Sequence, residues 1–266
     1  MKALYVYAIV PPALPDRWSV EGVDSSPVRA ISEANVVALV HDMAEPAAYT
    51  GSDEDVRRWV VEHASVVEAA WQDTGSALPV TFDVIVCGDD SATAEARLRA
   101  WLRDAADTLR EQLRLFTARS ELRIELGLRR SSNSSEHTPN PTLQSARGRD
   151  VLMAKRRLLV QREELREKAA ALERRARREL ASRCEQVVEL PRVHMDDVVP
   201  VLGAAALVPN AGIEAVGRWL AHLSQEEPEL VVRFLGPWPP YSFVSMPKPA
   251  NPAAATSPAA TRVTGP

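Results

Sequence analysis

Hydrophobic positions along this chain switch repeatedly between a period of two and a period near 3.6, the signatures of strands and helices. Residues 3–10 (ALYVYAIV) are rich in Tyr, Val and Ile and stop at Pro11-Pro12, where the ring removes the backbone donor, so they predict a first strand. Residues 28–31 and 35–41 predict two more strands around a Ser-Glu-Ala-Asn turn. Ser52 with Asp55 three residues on resembles a capping box, and Val56, Trp59, Val60, His63, Val66, Val67 and Ala70 then share one helical face that ends near Gly75. Leu78, Val80, Phe82 and Val84 alternate with Pro79, Thr81, Asp83 and Ile85, which predicts one strand ahead of a turn at Cys87-Gly88-Asp89-Asp90. Leu98, Leu102, Ala105, Leu109, Leu113 and Phe116 recur at helical steps, and 121–128 should return as a strand.

Strands interrupted by two helices predict an α+β first domain over 1–130, an antiparallel sheet with helices on one face. Residues 131–147 (SSNSSEHTPNPTLQSAR) abandon periodicity for Ser, Asn, Thr and Pro, the composition of a linker. Residues 150–184 contain no proline and carry Leu152, Leu158, Leu165, Ala169, Leu172, Ala176 and Leu180 as an apolar stripe, a helix long enough to break or bend into two. A short run closed by Leu190-Pro191, a strand over 198–208, a helix over 211–223 and a strand over 230–235 complete a second α+β domain over 148–246. From 247 onward PKPANPAAATSPAATRVTGP lacks large apolar groups and predicts a disordered tail.

Composition narrows the function classes. The 266 residues suit two domains, and 45% hydrophobic with 26% charged residues is an ordinary globular balance. Lys and Arg total 32 against 36 Asp and Glu, and the net charge of -4 offers no broad attraction to nucleic acid or an anionic membrane. The apolar run at the N-terminus is too short for a signal peptide, no run approaches a membrane span, and two cysteines, Cys87 and Cys184, fit a reducing cytoplasm.

Candidate chemistry is sparse. His41, His63, His137, His194 and His222 have no companion at metal-ligand spacing, and neither a glycine-rich phosphate loop nor a Gly-x-Ser-x-Gly elbow occurs, so no metal, cofactor or catalytic residue is expected. His63 lies on the apolar face of its helix and reads as a core histidine in preference to a general base. Residues 155–178 hold ten Lys or Arg against four Glu, but Glu163, Glu164 and Glu167 can pair three or four residues on, the look of a solvated or coiled-coil face. A purely helical scaffold would self-associate through Leu158, Leu165 and Leu172. The most unusual stretch is FLGPWPPYSFV at 234–244, where prolines stiffen the backbone between Phe234, Trp238, Tyr241 and Phe243. It reads equally as a packed lid or as a rigid aromatic platform for a partner chain.

The nine residues GPWPPYSFV at 236–244 resemble the C-terminal signature of the gas vesicle protein F/L (GvpF/GvpL) family. LYVYAIV at 4–10, HASVVE at 63–68 followed by ALPVTF at 77–82, GRDVLMAK at 148–155, and AALV at 205–208 ahead of IEAV at 213–216 are similar to that family's other motifs, in order. Asp83 stands where the family commonly has Gly, and Val151 replaces a usual Tyr.

The resemblance implies two α+β domains, the second ferredoxin-like with an added long helical segment, and a non-enzymatic role in the cytoplasm in forming gas vesicles and hence buoyancy. It implies the major gas vesicle shell protein and other gas vesicle accessory proteins as partners, with this chain acting as a minor shell component or as an adaptor that limits shell-protein aggregation. Partner binding is expected at Phe234, Trp238, Tyr241 and Phe243, and the alternative is an accessory-protein scaffold acting through the long basic helix.

Overall fold

The computed structural model describes residues 2–130, 148–192 and 197–248. They form two compact units, one holding the chain up to Ser120 together with the part from Trp238 onward, the other holding Glu121–Pro237.

The first unit is built on β1 (Ala3–Val10), whose eight residues are all buried. β2 (Arg29–Glu33) and β3 (Val36–Met43) form a hairpin whose turn residues, Ala34 and Asn35, both take positive φ, 46° and 63°, as a two-residue turn between twisted strands requires. β3 pairs antiparallel with β1, and β4 (Leu78–Pro79) and β5 (Ile85–Cys87) pair antiparallel with its other side. α1 (Asp53–Thr74) starts at the predicted capping box, with Ser52 Oγ accepting from Asp55 N and Ser52 N donating to the Asp55 carboxylate, both at 3.2 Å. It stops at Gly75, whose φ of 73° is a left-handed cap.

The predicted strand over 78–85 is split in two. Val80 N donates to Tyr7 O and Val6 N donates to Val84 O, so Thr81, Phe82 and Asp83 on one strand lie between neighbouring rungs on the other and loop out. Asp83 turns the loop with a φ of 68°.

The two helices also depart from the one-face prediction. Val66, Val67 and Ala70 of α1 pack with Tyr5, Tyr7, Val37 and Leu39. Leu4, Val6 and Ile9 point to the other side of β1 and are equally buried. There Arg29, directly across from Val40, reaches Glu95 of α2 (Ala94–Phe116), which packs along β1, β2 and β3. α1 and α2 therefore cover opposite faces.

The second unit runs β6 (Arg119–Arg129), α3 (Gly148–Arg183), β7 (Gln186–Glu189), β8 (Val198–Pro209), α4 (Ile213–Glu226), β9 (Leu230–Trp238). Its sheet order is β7-β8-β6-β9, the β-α-β-β-α-β arrangement of a ferredoxin-like fold. The strand expected to close the first domain, β6, thus hydrogen-bonds into the second sheet, since β8 and β9 flank it. Residues 131–147, expected as an interdomain linker, lie outside the described residues and fall in sequence between β6 and α3; the tail from 249 is also outside them.

α3 is one continuous helix of 36 residues, with no break. Leu165, Ala169, Leu172, Ala176 and Leu180 join Val216, Leu220 and Leu223 of α4 over Leu122, Ile124, Leu126 and Leu128 of β6. Leu165 and Leu172, expected as a self-association seam, are thereby committed to this chain's own core.

Candidate partner-docking surface

The expected aromatic platform is divided between the units. Phe234 lies on β9 in the second unit, 38% exposed, on the strand side that also carries Leu230 and Val232 into the core. It stands beside Gly217 of α4, where an added methyl would come 3.7 Å from its ring.

Trp238, Tyr241 and Phe243 group with the first unit. Pro239 and Pro240 are buried, and Tyr241 N donates to Pro239 O and Phe243 N to Pro240 O, at 2.8 and 3.1 Å, in a tight turn. The segment is then tied to α2: Ser245 exchanges two hydrogen bonds with the Gln112 amide, at 2.9 and 3.0 Å, and Trp101 Nε1 donates to Pro247 O. Trp238 and Phe243 are half-buried and Tyr241 is 42% exposed. The segment is thus held on α2 with its rings partly exposed, Tyr241 the most.

β7 is an edge strand whose significance its short QVVE sequence conceals. All four of its residues are exposed, including Val187 and Val188. Leu190 N donates to Gly203 O in the same register that pairs Gln186 with Leu207 and Val188 with Ala205. The alternate residues Val187 and Glu189 therefore turn their backbone groups away from β8, toward the side on which no described strand pairs. β9 ends the sheet on its other side.

A second constellation lies inside the first unit and is structural. His63 is 3% exposed; its Nε2 sits 3.1 Å from Val80 O, which can only accept, so Nε2 carries the proton and Nδ1 accepts from Tyr5 Oη at 2.9 Å. Tyr5 Oη accepts in turn from Asp83 N. Tyr7 Oη accepts from Val23 N and shares a 2.7 Å hydrogen bond with His41 Nδ1, and His41 Nε2 faces Tyr49 Oη. Desolvation pushes the His63 imidazole down to about 4, lowers that of His41 and raises the Tyr5 and Tyr7 phenols, so all four are neutral near pH 7. Phe82 and Tyr49 rings close over the group. Every polar atom of His63 is committed inside the core, which suits packing and not proton transfer to a substrate.

A cleft of about 700 Å³ lies where Lys2, Leu4, Arg29, Asp42, Glu95 and Arg99 meet. Its two arginines are matched: Arg29 pairs with Asp42 and Glu95, and Arg99 with Glu95 and Glu33. Among the described residues no group of His, Cys, Asp and Glu is placed to hold a metal ion, and no helix is long and apolar enough to cross a membrane.

The family model of the gas vesicle synthesis protein GvpL/GvpF matches residues 3–245. Gas vesicle protein L2 of Halobacterium salinarum is 29% identical over 259 residues, covering 90% of each chain. Gas vesicle protein L of Haloferax mediterranei is 28% identical over 243 residues, 85% of this chain and 73% of that protein. The crystal structure of gas vesicle protein GvpF from Anabaena sp. PCC7120 superposes with a TM-score of 0.69 at 19% identity, covering 93% of this chain and 98% of that one, and so shares the fold. The match runs from β1 through the Trp238–Ser245 segment, and this chain belongs to the GvpL/GvpF family of gas vesicle proteins.

Proposed function

We propose that this chain acts in the cytoplasm during gas vesicle formation as an adaptor or minor shell component, binding the hydrophobic major gas vesicle shell protein and limiting its aggregation. It performs no catalysis in this role. The observation that carries the reading is the pair of edges of the second unit's sheet that no described strand covers, β7 with Val187 and Val188 exposed and β9 with Phe234 exposed. A shell subunit that must build an apolar, gas-facing wall self-associates through apolar surface and strand edges unless these are covered first. An open strand edge supplies backbone hydrogen bonds to such a segment, and flanking apolar side chains supply burial. Phe234 on β9 is the anchor proposed here; Tyr241, and the half-buried Trp238 and Phe243 behind it, offer aromatic surface on the first unit.

The test is co-expression with a major gas vesicle shell protein, scoring how much shell protein stays soluble and co-purifies. Capture is expected, and the Phe234→Glu and Tyr241→Ala proteins are expected to retain severalfold less. Full capture by folded variants would remove the placement; no capture by the parent chain would remove the adaptor reading.

A further inference from the structure

The first half of α3 presents a face that, among the described residues, the core of its unit does not use. Met153, Leu159 and Val160 are 50%, 58% and 49% exposed, and Lys155, Arg156, Arg157 and the run 161–164 are exposed as well. At about 100° per residue, Met153, Arg156, Leu159, Val160, Glu163 and Glu167 fall within an arc of roughly 120°. Leu165, Ala169, Leu172 and Ala176, which pack on the sheet, point the opposite way. The outer arc therefore carries three apolar side chains with one cation, Arg156, among them and two anions, Glu163 and Glu167, beyond them.

The order of those charges selects the occupant. Arg156 and Glu163 are seven residues apart, too far to pair within one helix, and the Arg166–Glu163 pair along the helix is a long, solvent-exposed one at 3.5 Å. A parallel copy of the stripe would set Arg156 against Arg156 and Glu163 against Glu163. An antiparallel copy in the register that sets Leu159 against Val160 brings Arg156 against Glu163 of the second helix, twice, because the pairing is two-fold symmetric. On the arc itself Arg156 stands ahead of Glu163 and Glu167, while Arg162, Arg166 and Lys168 project outside it, so the arc has a basic and an acidic end that complement each other in the antiparallel direction. A solvated helical half with three exposed apolar residues on one face gains burial from such pairing that it lacks alone.

We propose that the outer face of α3 is a self-association surface, which joins two copies of this chain through an antiparallel helix pair centred on Leu159 and Val160, with reciprocal Arg156–Glu163 ion pairs. The surface is independent of shell-protein capture and lies on the opposite side of α3 from its core stripe.

The experiment is sedimentation equilibrium of the full chain over a wide concentration range, with the Arg156→Glu and Glu163→Arg proteins alone and mixed in equal amounts. The parent chain should reach twice its 29.2 kDa mass. Each single variant opposes like charges twice and should dimerise at least about tenfold more weakly. The mixture should recover dimers, since each contact again joins opposite charges. Far-UV circular dichroism checks that the variants keep the parent helix content. A parent chain that stays monomeric, single variants that dimerise as well as the parent, or a mixture that stays monomeric would each overturn the proposal; the last would mean that the face pairs with something other than a second copy.

Discussion

The Tyr5 hydroxyl lies 2.9 Å from Nδ1 of His63, joining the central strand of the first sheet to α1 through two side chains that are almost fully buried. The same hydroxyl accepts from Asp83 N and so also holds the loop that interrupts the strand over 78–85. Replacing Tyr5 by Phe keeps the ring but leaves a buried imidazole nitrogen and a backbone donor without their partner. The expected cost is about 1–3 kcal/mol of stability, read from urea unfolding. A loss below about half a kcal/mol would mean that water replaces the hydroxyl.

His63 also makes stability depend on pH, with a definite sign. Burial lowers its imidazole from the ordinary 6.5 to about 4, so the unfolded chain binds the proton more readily than the folded one between those values. Stability is then fully present above about pH 6.5 and falls as the pH drops toward about 4, by roughly 3 kcal/mol for this group alone. His41, lowered by the same desolvation, adds in the same direction. Unfolding free energies measured between pH 7 and pH 4.5 should decline for the parent chain and decline less steeply for His63→Gln. Parallel curves would place the acid sensitivity elsewhere.

Asp83 occupies a left-handed backbone position, φ 68°, which glycine adopts without strain. Its carboxylate accepts from Tyr49 N at 3.3 Å, a long bond that offsets part of the strain. Asp83→Gly should therefore change stability by less than about 1 kcal/mol, whereas the β-branched Asp83→Val should lose about 2 kcal/mol or more. Thermal unfolding of both variants separates the two; equal losses would show that the carboxylate and not the backbone matters.

The loop at 81–83 shows where the sequence stops informing. Apolar alternation runs unbroken through Thr81, Phe82 and Asp83, yet the backbone leaves the ladder there to place Phe82 over Tyr5 and His63, a non-local choice that periodicity does not encode. The ends of α1 were readable because Ser52, Asp55 and Gly75 act locally. The strand at 119–129 was readable as a strand but not as a member of the second sheet, because alternation names a buried face and not the neighbouring strand. One signal for helices on both sides of the first sheet was present: Leu4, Val6 and Ile9 are as apolar as the alternating Ala3 and Tyr5, the mark of a strand covered on two faces. The outer stripe of α3 became visible only once the structure showed which leucines its own core consumes.

Glu125 of β6 is buried, its side chain 5% exposed, between Arg123 at 2.8 Å and Arg233 of β9 at 3.0 Å. The two guanidinium side chains are 36% and 46% exposed and stay hydrated if the carboxylate goes. The carboxylate cannot do the same if they go. Removing the anion and removing the cations should therefore differ: Glu125→Gln should cost about 1 kcal/mol, while Arg123→Met with Arg233→Met should cost roughly 3 kcal/mol, because a buried charge is left unpaired. Adding Glu125→Gln to the double cation variant should recover most of that loss, because it removes the unpaired charge. Urea midpoints of the single, double and triple variants decide the matter. No recovery in the triple variant would mean that the triad acts through packing of the arginine stems along the strands and not through charge.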